Sequence, residues 1–292
     1  MKFARVRIDD KSVIAIVSPE SDEMWPLEFL IGRPIQEMVD VIQHFEGLRS
    51  RLHTNGSSLR LSGAKLEAPI REPRNILCVG KNYREHAREF TQSGFDSSAK
   101  NIAESVPTAP IIFTKSPGSV IGDGESIRYP QGVSNCVDYE AELGVIIGKR
   151  GRAISRESAY DHVWGYTIVN DMTARDLQSR HKQWFLGKSL DTFCPMGPWI
   201  VTSDELDPTN LDIRSLVNGE LRQNGNTRDL IFDIPCLIET LSAGMTLAPG
   251  DVIATGTPAG VGIGFNPPKY LFPGDEIVVE VSGIGRLTNR IT

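Results

Sequence analysis

The chain alternates short apolar runs with polar punctuation, and few stretches carry a helical period. Residues 3–8 and 12–17 read as two strands joined through Asp9, Asp10 and Lys11. In residues 34–52 the apolar positions Ile35, Met38, Val39, Ile42, Phe45 and Leu52 recur at helical spacing, with Gly56 shortly beyond. Two prolines in residues 68–73 block regular pairing and mark a linker. Beyond it, residues 76–79, 111–113, 142–147, 163–169, 199–201, 252–254 and 276–281 are short, rich in β-branched residues and bounded by Gly or Pro, which predicts strands. Helices are expected at 82–89 and at 230–241, the second with Pro235 awkwardly inside it. Regular βαβ alternation is missing, so the pattern predicts a mixed α/β, mostly β fold. A small N-terminal α+β domain (residues 1–70) would precede a main body at 71–292.

Residues 90–108 break the pattern: they are polar, Ser-containing and without clear period. A loop of that length inside a domain is expected to be a lid or a mobile segment. His86 and Glu89, three apart on the short helix just before it, share a face.

Composition removes whole classes of function. With 40% hydrophobic and 23% charged residues, the 292-residue chain has an ordinary globular make-up. A net charge of −6 argues against a nucleic-acid partner, which needs clustered basic surface. No apolar stretch approaches a membrane span or a signal-peptide core, so no membrane association is expected. Cys78, Cys136, Cys194 and Cys236 form no CxxC pair, which fits reduced thiols in a cytoplasmic protein.

The chemistry concentrates in acids. Asp138, Glu140 and Glu142 occupy every second position before the apolar run 143–147, so one continuous strand would carry all three on one face. Alternate strand residues lie about 6.8 Å apart. Like charges at that distance repel by about 2 kcal/mol per pair at an effective dielectric of about 20. Either the face is wet, or a cation relieves the repulsion, and an all-oxygen donor set suits Mg²⁺, Mn²⁺ or Ca²⁺. Asp171 follows the last apolar residue of the 163–169 strand, where it either caps a helix from Met172 onward or points into a cleft.

Several segments together resemble the fumarylacetoacetate hydrolase family: Val79-Gly80-Lys81-Asn82-Tyr83 with His86 and Glu89; Tyr139-Glu140-Ala141-Glu142-Leu143-Gly144; Asn170-Asp171-Met172-Thr173-Ala174-Arg175-Asp176; Gly187-Lys188-Ser189 with Asp191 to Pro195; and Gly250-Asp251 with Thr255 to Gly262. They fall in the family's order across residues 70 to 292. The resemblance implies a β-roll (mixed β-sandwich or barrel) catalytic domain and a homodimer. It implies Mg²⁺ or Mn²⁺ held by Glu140, Glu142 and Asp171, with Asp138 outside the ligand set. His86 and Glu89 would form the general-base dyad, and Lys188 would supply positive charge. Gln178, Thr257, Gly256 and Tyr83 would touch a keto or diketo acid substrate. The implied reaction is hydrolysis of a C–C bond in a β-diketo acid, of acylpyruvate or fumarylpyruvate type, through a metal-bound enolate. Oxaloacetate decarboxylation or tautomerisation, or 2-hydroxyhepta-2,4-diene-1,7-dioate isomerisation, are the alternatives on the same scaffold. A non-catalytic, metal-stabilised binding protein is the reading from a different class.

Overall fold

Strand Ala141–Ile147 is buried along its whole length, which is why its sequence reads as an unbroken apolar run and not as an alternation. It pairs antiparallel with Val163–Asn170 on one side and with Val252–Ala254 on the other. These are the middle of an open, mixed twelve-stranded sheet in a computed structural model that describes residues 1–54, 56–96 and 102–292. Beyond Val163–Asn170 come Cys194–Thr202, Lys2–Ile8, Lys11–Ser18, Glu23–Pro26 and Leu59–Arg60; beyond Val252–Ala254 come Ile76–Gly80, which is parallel to it, and Ile111–Thr114. A five-stranded sheet (Glu220–Asn226, Asp212–Val217, Glu276–Val281, Gly285–Ile291, Ser126–Ile127) packs on one face. The fold is mixed α/β and mostly β, as the pattern predicts, and the large sheet does not close into a barrel.

Both faces of the central sheet are covered. Leu143, Val145 and Ile147 share a core with Ile213, Val279 and Leu287 of the five-stranded sheet. Ile146, Val169 and Ile200 face the other way, where helix Met38–Arg49 lays Val41, Ile42 and Phe45 over them. Phe45 meets Phe3 and Trp164 edge-on, with ring centroids 5.9 and 5.6 Å apart. Phe3 pairs in register with Ile200, so residues 1–70 extend the same sheet that carries the later strands.

Three local expectations need correcting. The 34–52 helix begins only at Met38, because Arg5 holds the lead-in extended: its Nη1 donates to Gln36 O and pairs with Glu37 at 2.9 Å. The 230–241 helix begins at Ile234, with Asp233 as N-cap accepting from Cys236 N at 2.9 Å. Pro235 therefore sits in the first turn, where its missing N–H costs nothing. The run from Asp138 is not one strand: Val137–Asp138 pairs with Thr173–Ala174, and a new strand starts at Ala141. That break separates Asp138 from the two glutamates.

The 90–108 segment also differs from a structureless loop. Helix Arg84–Gln92 runs on through its start, because Phe90 is buried against Trp184 (centroids 6.0 Å apart) and Thr91 Oγ1 donates to Ala87 O. A short 3-10 turn forms at Ile102–Glu104, and residues 97–101 of the expected lid lie outside the described residues.

Candidate active site

The site lies along one end of the central strands. The parallel pairing of Ile76–Gly80 with Val252–Ala254 sets their C-terminal ends side by side. The antiparallel neighbours bring the start of Ala141–Ile147 and the end of Val163–Asn170 to the same level. Lys81, Glu140, Glu142, Asp171 and Thr257 meet there because each sits at such a strand end.

Glu140, Glu142 and Asp171 are buried, and one carboxylate oxygen from each lies within 4.8 Å of the others. Lys188 Nζ sits between two of them, 2.8 Å from Glu140 Oε2 and 2.7 Å from Asp171 Oδ2. Lys115 Nζ, fully buried, reaches Asp171 Oδ1 at 2.5 Å. Arg175 pairs with Glu140 at 2.7 Å and with Asp138 at 2.9 Å. Asp138 also accepts from Tyr139 N, Gly262 N and Ile263 N, so its carboxylate is spent on Arg175 and a turn. Asp171 caps no helix; the next helix starts at Arg175 with no side-chain cap.

These contacts set the charges. Burial alone would raise Glu140, but Lys188, then Arg175, outweigh it and hold its carboxyl well below the usual range. Lys188 is disfavoured by burial, yet Asp171 and Glu140 raise its pKa, so it remains an ammonium. Glu142 goes the opposite way: burial, then Asp171 and Glu140, push it far up. Its Oε2 accepts from Gly256 N at 2.8 Å, and it makes no ion pair among the described residues. Three converging oxygens, one of them without a counter-charge, are the donor set a hard divalent cation fits.

On helix Arg84–Gln92, His86 Nδ1 lies 3.3 Å from Glu89 Oε2. Glu89 is itself fixed by Gly260 N, at 3.0 and 3.2 Å from its two oxygens. It also lies so close to Gly264 that a Cβ there would fall 1.9 Å from Oε1. His86, Glu140, Glu142, Gln178, Lys188 and Thr257 line one cavity, together with Lys81, Arg175, Phe90, Phe113 and Trp184. Its volume is about 10 Å³, room for about one water.

The other residues singled out from the sequence are less exposed to that cavity. Thr257 Oγ1 donates to Ala141 O and accepts from Gln223 Nε2, so its hydroxyl is already engaged. Gly256, at φ +103° where a Cβ would strike Asn82, turns its N–H to Glu142. Tyr83 lines a separate hollow with Arg228 and Pro258, because the chain turns at Asn82, whose side chain is pinned to Thr255 O and Phe232. Sequence reasoning assigned no role to Arg175 or Lys115. Arg175 stood inside a quoted motif, and its Nη2 is buried with no partner among the described residues. Lys115 lies between a strand and a proline turn, with no local sign of its burial.

Residues 75–292 match the model of the fumarylacetoacetate (FAA) hydrolase C-terminal region. The chain belongs to the fumarylacetoacetate hydrolase family. It is 47% identical over 299 residues to oxaloacetate tautomerase YisK of Bacillus subtilis (strain 168), covering 99% of this chain and 96% of that protein. A fumarylacetoacetate hydrolase from psychrophilic Exiguobacterium antarcticum superposes with a TM-score of 0.84 at 40% identity, covering 100% of this chain and 99% of that one. A maleylpyruvate hydrolase from Sphingobium sp. SYK-6, in complex with manganese(II) ion and pyruvate, gives 0.81 at 34% identity over 100% and 99% of the two chains. These relatives are enzymes, and they divide between tautomerase and hydrolase chemistry.

Proposed function

We propose that the chain is a divalent-cation-dependent enzyme that interconverts the keto and enol forms of a 2-oxo acid, with oxaloacetate as the substrate. One observation carries the reading: His86, held by Glu89, lines the same small cavity as Glu140 and Glu142 of the buried Glu140–Glu142–Asp171 cluster. Those three carboxylates would hold Mg²⁺ or Mn²⁺, which would act as a Lewis acid on the oxygens of the 2-oxo acid. With Nδ1 donating to Glu89, Nε2 of the neutral ring carries the lone pair. Nε2 takes a proton from C3 of the keto form and returns one to the C2 oxygen, which is the whole of a tautomerisation. Lys188, kept charged by its acidic neighbours, does not serve as the base; its ammonium offsets negative charge developing on that oxygen. Arg175 Nη2 offers a buried N–H that a substrate oxygen would satisfy. The 47%-identical tautomerase supports this choice within the family.

C–C bond hydrolysis of an acylpyruvate is the second reading, favoured by a His–Glu dyad able to activate water and by the hydrolase relatives. A homodimer is proposed as well: Ile112, Phe185 and Leu186 are large apolar side chains left 38, 45 and 48% exposed. The test follows the purified protein with Mn²⁺ on enolic oxaloacetate, for ketonisation and for pyruvate release, and on acetylpyruvate. His86→Ala is expected to lower ketonisation by about 10²–10⁴ while leaving cation binding intact. A higher kcat/KM for acetylpyruvate cleavage than for ketonisation would replace the first reading by the second.

A further inference from the structure

The run Gly260-Val261-Gly262-Ile263-Gly264 folds as a turn, with a short 3-10 helix at Gly262–Gly264. It stands between the two halves of the site. On one side, Gly260 N holds both oxygens of Glu89, at 3.0 and 3.2 Å, and Glu89 Oε2 lies 3.3 Å from His86 Nδ1. On the other side, the segment leading into the carboxylate cluster grips the turn at three points. Tyr139 Oη donates to Gly260 O at 2.9 Å, and Asp138 accepts from Gly262 N at 2.7 Å and from Ile263 N at 3.0 Å. Tyr139 stands directly before Glu140, so the segment that presents a cation ligand also holds the turn that holds the base.

Of the three grips, the one from Tyr139 falls on the residue that carries the Glu89 contact. Gly260 has φ +102°, and a Cβ there would lie 2.1 Å from Arg222 O. The position therefore requires glycine, the residue whose flanking peptide planes swivel most freely. What aims its N–H at Glu89 is the anchor on its carbonyl. A phenol is a reliable donor to that carbonyl, since it keeps its proton at neutral pH. The Tyr139 side chain is fully buried in the core and does not line the cavity. Phenylalanine would fill the same space, so the hydroxyl is the part of this residue that the turn calls for.

We propose that Tyr139 is a positioning residue for the base: through Gly260 it aims Glu89, and through Glu89 it keeps the His86 proton on Nδ1 and the lone pair on Nε2. The inference rests on His86 being the base and adds the residue that orients it.

Tyr139→Phe in the full chain with Mn²⁺ tests this. Ketonisation of enolic oxaloacetate is expected to lose about ten- to hundredfold in kcat, the cost of a misplaced group at a reacting centre, with KM changed by less than about twofold. The Mn²⁺-induced rise in melting temperature should be retained. A double-mutant cycle with Glu89→Gln separates aiming from mere support of the fold. Once the Glu89 carboxylate is gone, Tyr139 has nothing left to aim, and Tyr139→Phe should then cost less than about threefold further. A tyrosine that only stabilised the fold would cost the same factor in both backgrounds. Nitrogen-15 spectra of protein labelled at its 5 histidines read the tautomer without substrate, with His86 assigned by its loss in His86→Gln. The wild type is expected in the Nδ1–H form, and Tyr139→Phe in a mixture of the two neutral forms. A Tyr139→Phe protein that keeps the wild-type kcat, keeps the wild-type His86 tautomer, shows equal factors in the two backgrounds or loses the Mn²⁺ shift overturns the inference and leaves the proposed function standing. A wild type that neither ketonises oxaloacetate nor cleaves acetylpyruvate removes the proposed function, and the histidine spectra then decide the role of Tyr139 by themselves.

Discussion

Replacing Glu142 by glutamine separates the two things a buried carboxylate cluster can be, a stabilising network or a cation site. Its oxygen lies within 4.8 Å of those of Glu140 and Asp171, a separation at which like charges repel by about 3 kcal/mol per pair at an effective dielectric of about 20. Burial and this repulsion push the Glu142 carboxyl far above the usual range, so without a cation its charged form is the disfavoured one. Glutamine copies the neutral form, and its carbonyl oxygen can still accept from Gly256 N. The cation-free variant is therefore expected to differ from the parent by less than about 1 kcal/mol. Cation binding is another matter. At a concentration one hundred times Kd, a bound ion stabilises the native state by about 2.7 kcal/mol, a rise of about 5–10 °C in melting temperature for a chain of this size. Losing one of three charged ligands is expected to weaken binding at least about a hundredfold, which cuts the stabilisation at the same concentration to about 0.4 kcal/mol, or about 1 °C. Thermal melts with and without Mn²⁺ read both quantities. Asp138→Asn is the control: it strips the buried Arg175 of one partner, so it should cost about 3–5 kcal/mol of stability, yet keep the Mn²⁺ shift. A Glu142→Gln protein that keeps the full shift, or an Asp138→Asn protein that loses it as completely, would refute the ligand assignment.

Lys188→Met removes the ammonium lying between Glu140 and Asp171, so the cation-free protein should lose about 3–5 kcal/mol and recover much of it when Mn²⁺ is added, as denaturant titrations would show. Gly264→Ala places a Cβ 1.9 Å from Glu89 Oε1 and must push that carboxylate off His86; ketonisation should fall while the Mn²⁺-induced rise in melting temperature is retained. Burial pushes the Cys194 thiol up to about 12, so it should resist alkylation at pH 8 in the native protein and react only on unfolding, as peptide mass spectrometry would show.

How much of this was legible depended on whether the cause was local. Strands such as Ala141–Ile147 and Val252–Ala254 announce themselves through branched apolar runs, because their burial is a property of the segment itself. Glu140, Glu142 and Asp171 could be found because spacing and motif order both pointed at them. The false single strand through Asp138 had a distant cause: Val137–Asp138 is captured by Thr173–Ala174, thirty-odd residues later, and no pattern in 138–142 records that. The same holds for the late start of helix Met38–Arg49, set by an arginine on the first strand. Lys115 was invisible for a related reason: a buried lysine looks like any surface lysine until the carboxylate facing it is known.

The parallel pairing of Ile76–Gly80 with Val252–Ala254 has a consequence for the order in which the molecule is built. Its two strands are separated by most of the chain, and the site at their ends draws on residues from Lys81 to Thr257. Closing so long a loop is entropically costly and comes late, after the local hairpins have formed. During synthesis the cavity cannot be completed until the strand Val252–Ala254 has emerged, when all but the last few strands have already been made. Glu140, Glu142 and Asp171, by contrast, come together through the pairing of two neighbouring strands, Ala141–Ile147 with Val163–Asn170, which does not wait for that closure. Cation binding should then be felt as faster folding as well as slower unfolding, so the ion acts as a seed for the structure and not only as a lock on it.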